Sequence, residues 1–200
     1  MEFSIHAKPS HRLFSDSGKC FSFDHRGESG YGRGEGVGCV MLKRLDDAIA
    51  AGDTIRAVIA NTGMNQDGHT PGIGVPTSKA QKRLMETVYQ SAGINPRETG
   101  YVEAHGTGTK IGDPIEARAL HEFFGHDRPR ETPLLVGSVK SNFGHAEGAS
   151  GIVSVVKTVM MLEKGFVLPN CNFEQCRDDI PMDRWGLRVS QRCSSKPISD

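Results

Sequence analysis

Tyr101-Val-Glu-Ala-His-Gly-Thr-Gly-Thr109 and, further on, Leu134-Leu-Val-Gly-Ser-Val-Lys-Ser-Asn-Phe-Gly-His145 are the two stretches that decide the fold. Each opens on a short apolar run of strand length, then turns through glycine around a histidine before a helical pattern begins. In α/β proteins, ligands and chemistry gather at the carboxyl ends of strands. Two units built alike therefore aim two imidazoles, those of His105 and His145, into one crevice.

Outward from these stretches the same alternation continues. Val37-Gly-Cys-Val-Met-Leu42 and Thr54-Ile-Arg-Ala-Val-Ile-Ala60 read as strands flanking a short helix around Leu45 to Ala51. Ser78 to Ala92 reads as a helix with Ala80, Leu84, Met85, Val88 and Ala92 near one face and Gly93 as its stop. Tyr101 to Ala104 is a strand, and Asp113-Pro114 reads as N-cap and first-position proline of a helix over Ile115 to Phe124. Leu134 to Val139 is the next strand. The helix from about Ala149 to Glu163 is apolar on most sides, which predicts a place inside a layered domain. Strands alternating with helices predict an α/β domain, its sheet largely parallel and its helices on both faces.

Composition narrows the function classes. With 24 Lys plus Arg against 24 Asp plus Glu, the 200-residue chain has formal net charge zero, so no global field draws it to nucleic acid. Nothing near Met1 has the apolar region of a signal peptide, and no run approaches the ~18 apolar residues of a membrane span. Five irregularly spaced cysteines (Cys20, Cys39, Cys171, Cys176 and Cys193) argue against a disulfide framework and for a reducing, cytoplasmic setting. No window has the dinucleotide or P-loop glycine spacing, and Cys171 with Cys176 makes only a weak case for zinc.

The two histidine segments resemble the histidine motifs of the β-ketoacyl synthases, the condensing enzymes of fatty-acid and polyketide assembly, and the match to the type I polyketide synthase form is close. It runs from about Leu13 to about Val189, through Phe21-Ser-Phe-Asp-His-Arg26, Gly30-Tyr-Gly-Arg-Gly-Glu-Gly36, Asn65-Gln-Asp-Gly68, Gly112-Asp-Pro-Ile-Glu-Ala117 and Gly148-Ala-Ser-Gly151. The resemblance implies a thiolase-like layered α/β fold. Residues 1–200 would form its incomplete C-terminal portion, with 190–200 as a frayed tail. It also implies that His105 and His145 hydrogen-bond a malonyl thioester carbonyl and stabilise the enolate formed on decarboxylation, with Lys140 as a cationic anchor. The implied partners are an acyl carrier protein, whose phosphopantetheine arm would meet Thr107 and Thr109, and a second copy or a complementing ketosynthase half. The chain itself is expected to bind no cofactor and no metal.

Plainer readings stand beside these. The two threonines would equally cap the turn that follows them, and Lys140 would serve equally as a solvated turn lysine. His69 sits in a polar loop and reads as structural or as part of a rim. Asp113 and Glu116, at one helix start, read as capping and anchoring rather than as an acid/base pair. Asp24, Arg26, Arg33 and Glu35 read as loop architecture around a glycine-rich turn.

Two departures from the family pattern decide how much activity is expected. Ketosynthases attack with a cysteine in a Thr-Ala-Cys-Ser-Ser setting, which no cysteine here has. Cys193-Ser194-Ser195 copies three letters but follows both histidine motifs, behind Gln191-Arg192. The late Phe-Gly-x-Gly-Gly-x-Asn loop is absent as well. The chain alone is therefore expected to be inactive, either as the histidine-bearing part of a condensing enzyme or as a non-catalytic interaction and dimerisation module.

Overall fold

A computed structural model of the chain describes residues 13–27, 30–72 and 75–194. Its centre is a parallel three-stranded sheet in the order β1 (Tyr101–Glu103), β2 (Leu134–Gly137), β3 (Leu187–Val189). All four residues of β2 are buried, because as the middle strand it is covered on both faces. Side chains alternate across a strand, and here the alternation sorts the core in two. Leu134 and Val136 join Phe23, Ala117, Leu120 and Phe124 on one face, and Leu135 joins Met161, Val167 and Tyr101 on the other.

The helices agree with the periodicity. Between them, α1 (Leu45–Ala50) and α2 (Ser78–Ala92) frame the first half of the chain. Thr77 caps α2 by accepting from Ala80 N–H at 3.1 Å, and Gly93 ends it in the left-handed region at φ 65°. Helix α3 (Gly112–Leu120) runs on into a π-helical turn over His121–Gly125. Asp113 is not its N-cap. It lies within the first turn, where its carboxylate accepts from the backbone N–H groups of Phe23, Gly108 and Thr109.

The strand expected over Leu134 to Val139 stops at Gly137, since the next two N–H groups are claimed by side chains: Ser138 donates to Asn170 Oδ1 at 2.9 Å and Val139 to Glu103 Oε1 at 2.5 Å. A one-turn helix, α4 (Lys140–Phe143), follows, so His145 is reached through a helix and not from the strand end. Helix α5 (Ser150–Lys164) lies where its pattern predicts and ends at Gly165, φ 69°. The enclosure expected for it is not found. Only Met161 is buried, while Val155 (43% exposed) and Met160 (53%) face outward, because one edge of the helix meets the sheet.

The two early strands are not formed either. Residues 37–42 and 54–60 carry no ladder among the described residues. They pass across the helices, with Gly38 against Ile152, Arg56 paired to Glu163 at 2.7 Å and Asn61 Nδ2 donating to Val88 O at 2.9 Å. The outer side is bare, leaving Val37, Met41, Leu42, Val58 and Ile59 exposed. A strand needs a neighbour for its N–H and C=O groups, and here none is supplied. The expected tail is partly fixed: Ser190 N–H donates to Val136 O, and Ser194 forms an antiparallel bridge to Val167. Residues 195–200 lie outside the described part, and no helix within it is long and apolar enough to cross a membrane.

Exposed apolar side chains in bare strand-like segments favour association. The purified chain is expected to self-associate at micromolar concentration, and Met41→Lys with Val58→Lys to reduce this in light scattering; a monodisperse monomer for the parent would contradict the description.

Candidate active site

Glu116 builds the first half of the site. From the second turn of α3 its two carboxylate oxygens accept the backbone N–H groups of His105 (2.7 Å) and Gly106 (2.8 Å). The loop after β1 is thereby clamped to a helix. Glycine is required at 106, where φ is 44° and a Cβ would lie 2.7 Å from the Ser138 side chain.

The glycine-rich stretch 30–36 builds the second half. His145 N–H donates to Gly32 O at 2.8 Å, and Gly34 N–H donates to His145 O at 3.0 Å. The two rings thereby meet edge to face, with centroids 5.1 Å apart and planes at 86°. Tyr31 packs on the far side of His145 at 4.8 Å, and its hydroxyl donates to Glu147, which also pairs with Arg33 at 3.1 Å.

The backbone also sets one tautomer. Glu147 N–H donates to His145 Nδ1 at 3.1 Å, so that nitrogen is an acceptor and the neutral ring carries its proton on Nε2. Both rings are held neutral. Burial of its inner side pushes His105 down to about 4, and the positive charge of Lys140, then the charge His145 would carry if protonated, add to this, although the outer side of the ring stays open to the cleft. His145 is lowered by burial and then by Lys140. Each is therefore an N–H donor without being a cation at neutral pH.

Lys140 is 2% exposed, which removes the solvated-turn reading. Burial lowers its pKa, while the charges of Glu116 and Glu103, then Cys20 and Asp113, favour the ammonium. Burial also raises the Asp113 carboxyl to about 7 and the Glu116 carboxyl upward, outweighing the backbone donors that favour the ionised forms.

His105, His145, Thr107, Thr109 and Glu116 line one cleft of about 1130 Å³, together with Tyr31 and the Asn65 to Gly68 loop. Lys140 stands behind its wall. Thr109 does cap a turn, accepting from Gly112 N–H at 3.2 Å, and its hydroxyl lies 3.1 Å from that of Thr107. One hydroxyl hydrogen closes that pair, and the other is left for a ligand. His69 is exposed in its loop. The early charged cluster divides: Asp24 is fully buried under Arg26 at 2.6 Å, Arg33 reaches the rim, and Glu35 is exposed. No cysteine lines the cleft. Cys20 is buried, with its thiol pushed up by burial, and Cys176 is raised to about 11 for the same reason.

Sequence reading missed Tyr31, Glu147, Asn170 and the anchoring role of Glu103. Glu103 gave a faint signal, as a charged residue inside a strand whose neighbours are apolar. Tyr31 and Asn170 are brought in over long separations that no spacing records, and Glu147, two residues after His145, meets Tyr31 and Arg33 only across the fold.

The family profile described as Beta-ketoacyl synthase, C-terminal domain, matches residues 56–174, and that described as Beta-ketoacyl synthase, N-terminal domain, matches residues 3–48. The chain belongs to the β-ketoacyl synthase family, and within it resembles the ketosynthases of type I polyketide synthases. It is 57% identical over 178 residues to Highly-reducing polyketide synthase 1 of Aureobasidium melanogenum, covering 89% of this chain and 8% of that protein. To the highly reducing polyketide synthase tstA of Talaromyces stipitatus it is 54% identical, over 89% of this chain and 7% of that protein. Among solved structures, the ketosynthase from module 6 of the bacillaene synthase of Bacillus subtilis 168 superimposes with a TM-score of 0.87 at 38% identity, over 94% of this chain and 33% of that one. The chain thus spans a third of the length of that ketosynthase.

The depressed imidazoles have a measurable sign. A histidine whose folded pKa lies below its unfolded value of about 6.5 contributes stability above that pH and loses it as pH falls toward the folded value. For His105 the window is about 6.5 to about 4. In nuclear magnetic resonance titrations the His105 ring is expected to titrate well below 6.5, and Lys140→Met to move it upward; a ring that titrates at its ordinary value in both would overturn the electrostatic assignment.

Proposed function

We propose that this chain forms the histidine-bearing wall of a decarboxylative condensing site, in which His105 and His145 donate hydrogen bonds to one thioester oxygen. The observation that carries the reading is the pair of neutral imidazoles in edge contact at a cleft, backed by the buried cation of Lys140. In the proposed reaction the bond between the malonyl carboxylate and its α-carbon breaks and carbon dioxide leaves. The electron pair becomes an enolate, and the charge on its oxygen is met by the two ring N–H groups. The α-carbon then attacks an acyl group held as a cysteine thioester, and the cysteine thiolate leaves. That cysteine is not in this chain.

The malonyl group would arrive on the phosphopantetheine arm of an acyl carrier protein, with the remaining hydroxyl hydrogen of the Thr107 and Thr109 pair meeting an amide of the arm. The bare segments 37–42 and 54–60 support a second polypeptide surface as partner, either a complementing ketosynthase segment or another copy of the chain. They equally support the second reading, a docking module without turnover.

A polypeptide that carries this chain together with the cysteine-bearing segment separates the two readings. His105→Ala and His145→Ala are each expected to slow carbon dioxide release from malonyl carrier protein by about 10²- to 10³-fold, the scale for losing one oxyanion donor, while cysteine acylation by mass stays near the parent level. Release at the parent rate in either variant would make that histidine structural. The chain alone is expected to give no condensation product, since no cysteine lines the cleft among the described residues; an acyl adduct on Cys193 followed by carbon-carbon bond formation would overturn that expectation.

A further inference from the structure

The two-histidine cleft rests on a second, buried assembly that does not touch it. Glu103, the last residue of β1, and Lys157, on α5, have side chains only 7% and 8% exposed and lie 2.7 Å apart. Tyr101 closes the group: its hydroxyl accepts from Lys157 Nζ at 2.9 Å and donates to the same Glu103 oxygen at 2.5 Å. The space for that hydroxyl exists because residue 137 is glycine, where a Cβ would come within 2.6 Å of it.

Among the described residues, every side-chain hydrogen bond of this group but one stays inside it. The exception is the other Glu103 oxygen, which accepts the N–H of Val139 at 2.5 Å, one residue before Lys140. On the preceding residue, Asn170 Oδ1 accepts the N–H of Ser138. These donors stand at the start of α4, where no earlier turn of helix supplies acceptors. With its N–H bound here, the chain enters α4 at a fixed angle, places Lys140 behind the rings and arrives at His145 five residues later.

We propose that Glu103 is a positioning residue for the condensing site, oriented by Lys157 and Tyr101 and acting through the Val139 N–H on Lys140 and His145. The inference rests on the proposed decarboxylative role of the two histidines. Lys157 sets the rotamer of Glu103, and the Glu103 oxygen on Val139 sets the turn. Because the pair never faces the cleft, its loss changes the chemical step and not the binding of the carrier protein.

The test uses the complete ketosynthase polypeptide and measures carbon dioxide release with malonyl carrier protein as substrate. Replacing both partners avoids stranding a buried charge. Glu103→Leu with Lys157→Met keeps the volume but removes the acceptor from Val139, and kcat is expected to fall by about 10- to 100-fold, the scale of a misplaced reacting geometry, with KM unchanged. Glu103→Gln with Lys157→Met restores an acceptor oxygen without charge and is expected to recover kcat to within about 3-fold of the parent. Val139→Pro removes the same N–H from the other side, at a φ of −62° that proline accepts, and is expected to lower kcat like the leucine pair. It also serves if the leucine pair does not fold. Parent kcat in Val139→Pro, or in a folded leucine pair, would overturn the proposal, as would a glutamine pair no better than the leucine pair. His145→Ala in the same polypeptide distinguishes the layers: if it is slow while the pair variants are fast, only the positioning role fails, whereas if it too is fast, the two-histidine reading fails and this inference with it.

Discussion

Lys140 holds an ammonium group in a position where water barely reaches it, and the surrounding structure follows from compensating that charge. Removing an ammonium from water costs several kcal/mol unless opposite charges and hydrogen bonds replace the solvent. Here the charges of Glu116 and Glu103 favour the ammonium most. Neither carboxylate is spent on Lys140 alone. Glu116 binds the backbone of His105 and Gly106, and Glu103 binds the backbone of Val139. The bonds that fix the two histidine loops are thus made by the groups whose charges favour the buried cation. Shifting one element shifts the electrostatics and the geometry together.

The cation has a second consequence. Added to burial, which is the larger cause, Lys140 opposes protonation of both imidazoles, so each ring stays a neutral donor where a free histidine would begin to charge. A neutral ring with its proton on Nε2, as the Glu147 N–H dictates for His145, suits an oxygen that gains charge only during reaction. The donor is in place beforehand and no proton has to leave it. Tyr31 and the rim pair of Arg33 with Glu147 close the far side of His145, so the glycine-rich stretch 30–36 is part of the site and not a spacer.

Much of this was legible in the chain because it is local. The 3.6-residue pattern fixes α2 and α5 to within a residue, Gly93 marks the end of α2, and the two histidine segments are alike enough to pair. What depends on a distant partner was not legible. Val37 to Leu42 has the composition of a strand but no neighbour, and α5 has the composition of an enclosed helix but only one edge covered. Asp113 resembles a cap by its place before proline, yet its oxygens go to Phe23, Gly108 and Thr109. The strand at Leu134 ends early because Asn170 and Glu103, from elsewhere in the chain, take its next two N–H groups. Each of these outcomes is set by a contact across the fold, which periodicity does not encode.

The central claim is that His105 and His145 act on one oxygen, and a double-mutant cycle on malonyl decarboxylation tests it most directly. In a ketosynthase polypeptide carrying the acylating cysteine, the account predicts that His105→Ala combined with His145→Ala slows carbon dioxide release by much less than the product of the two single effects, because the second deletion removes a donor from an oxygen already left without its partner. Single effects that multiply would mean the two rings serve separate steps, and would contradict the account.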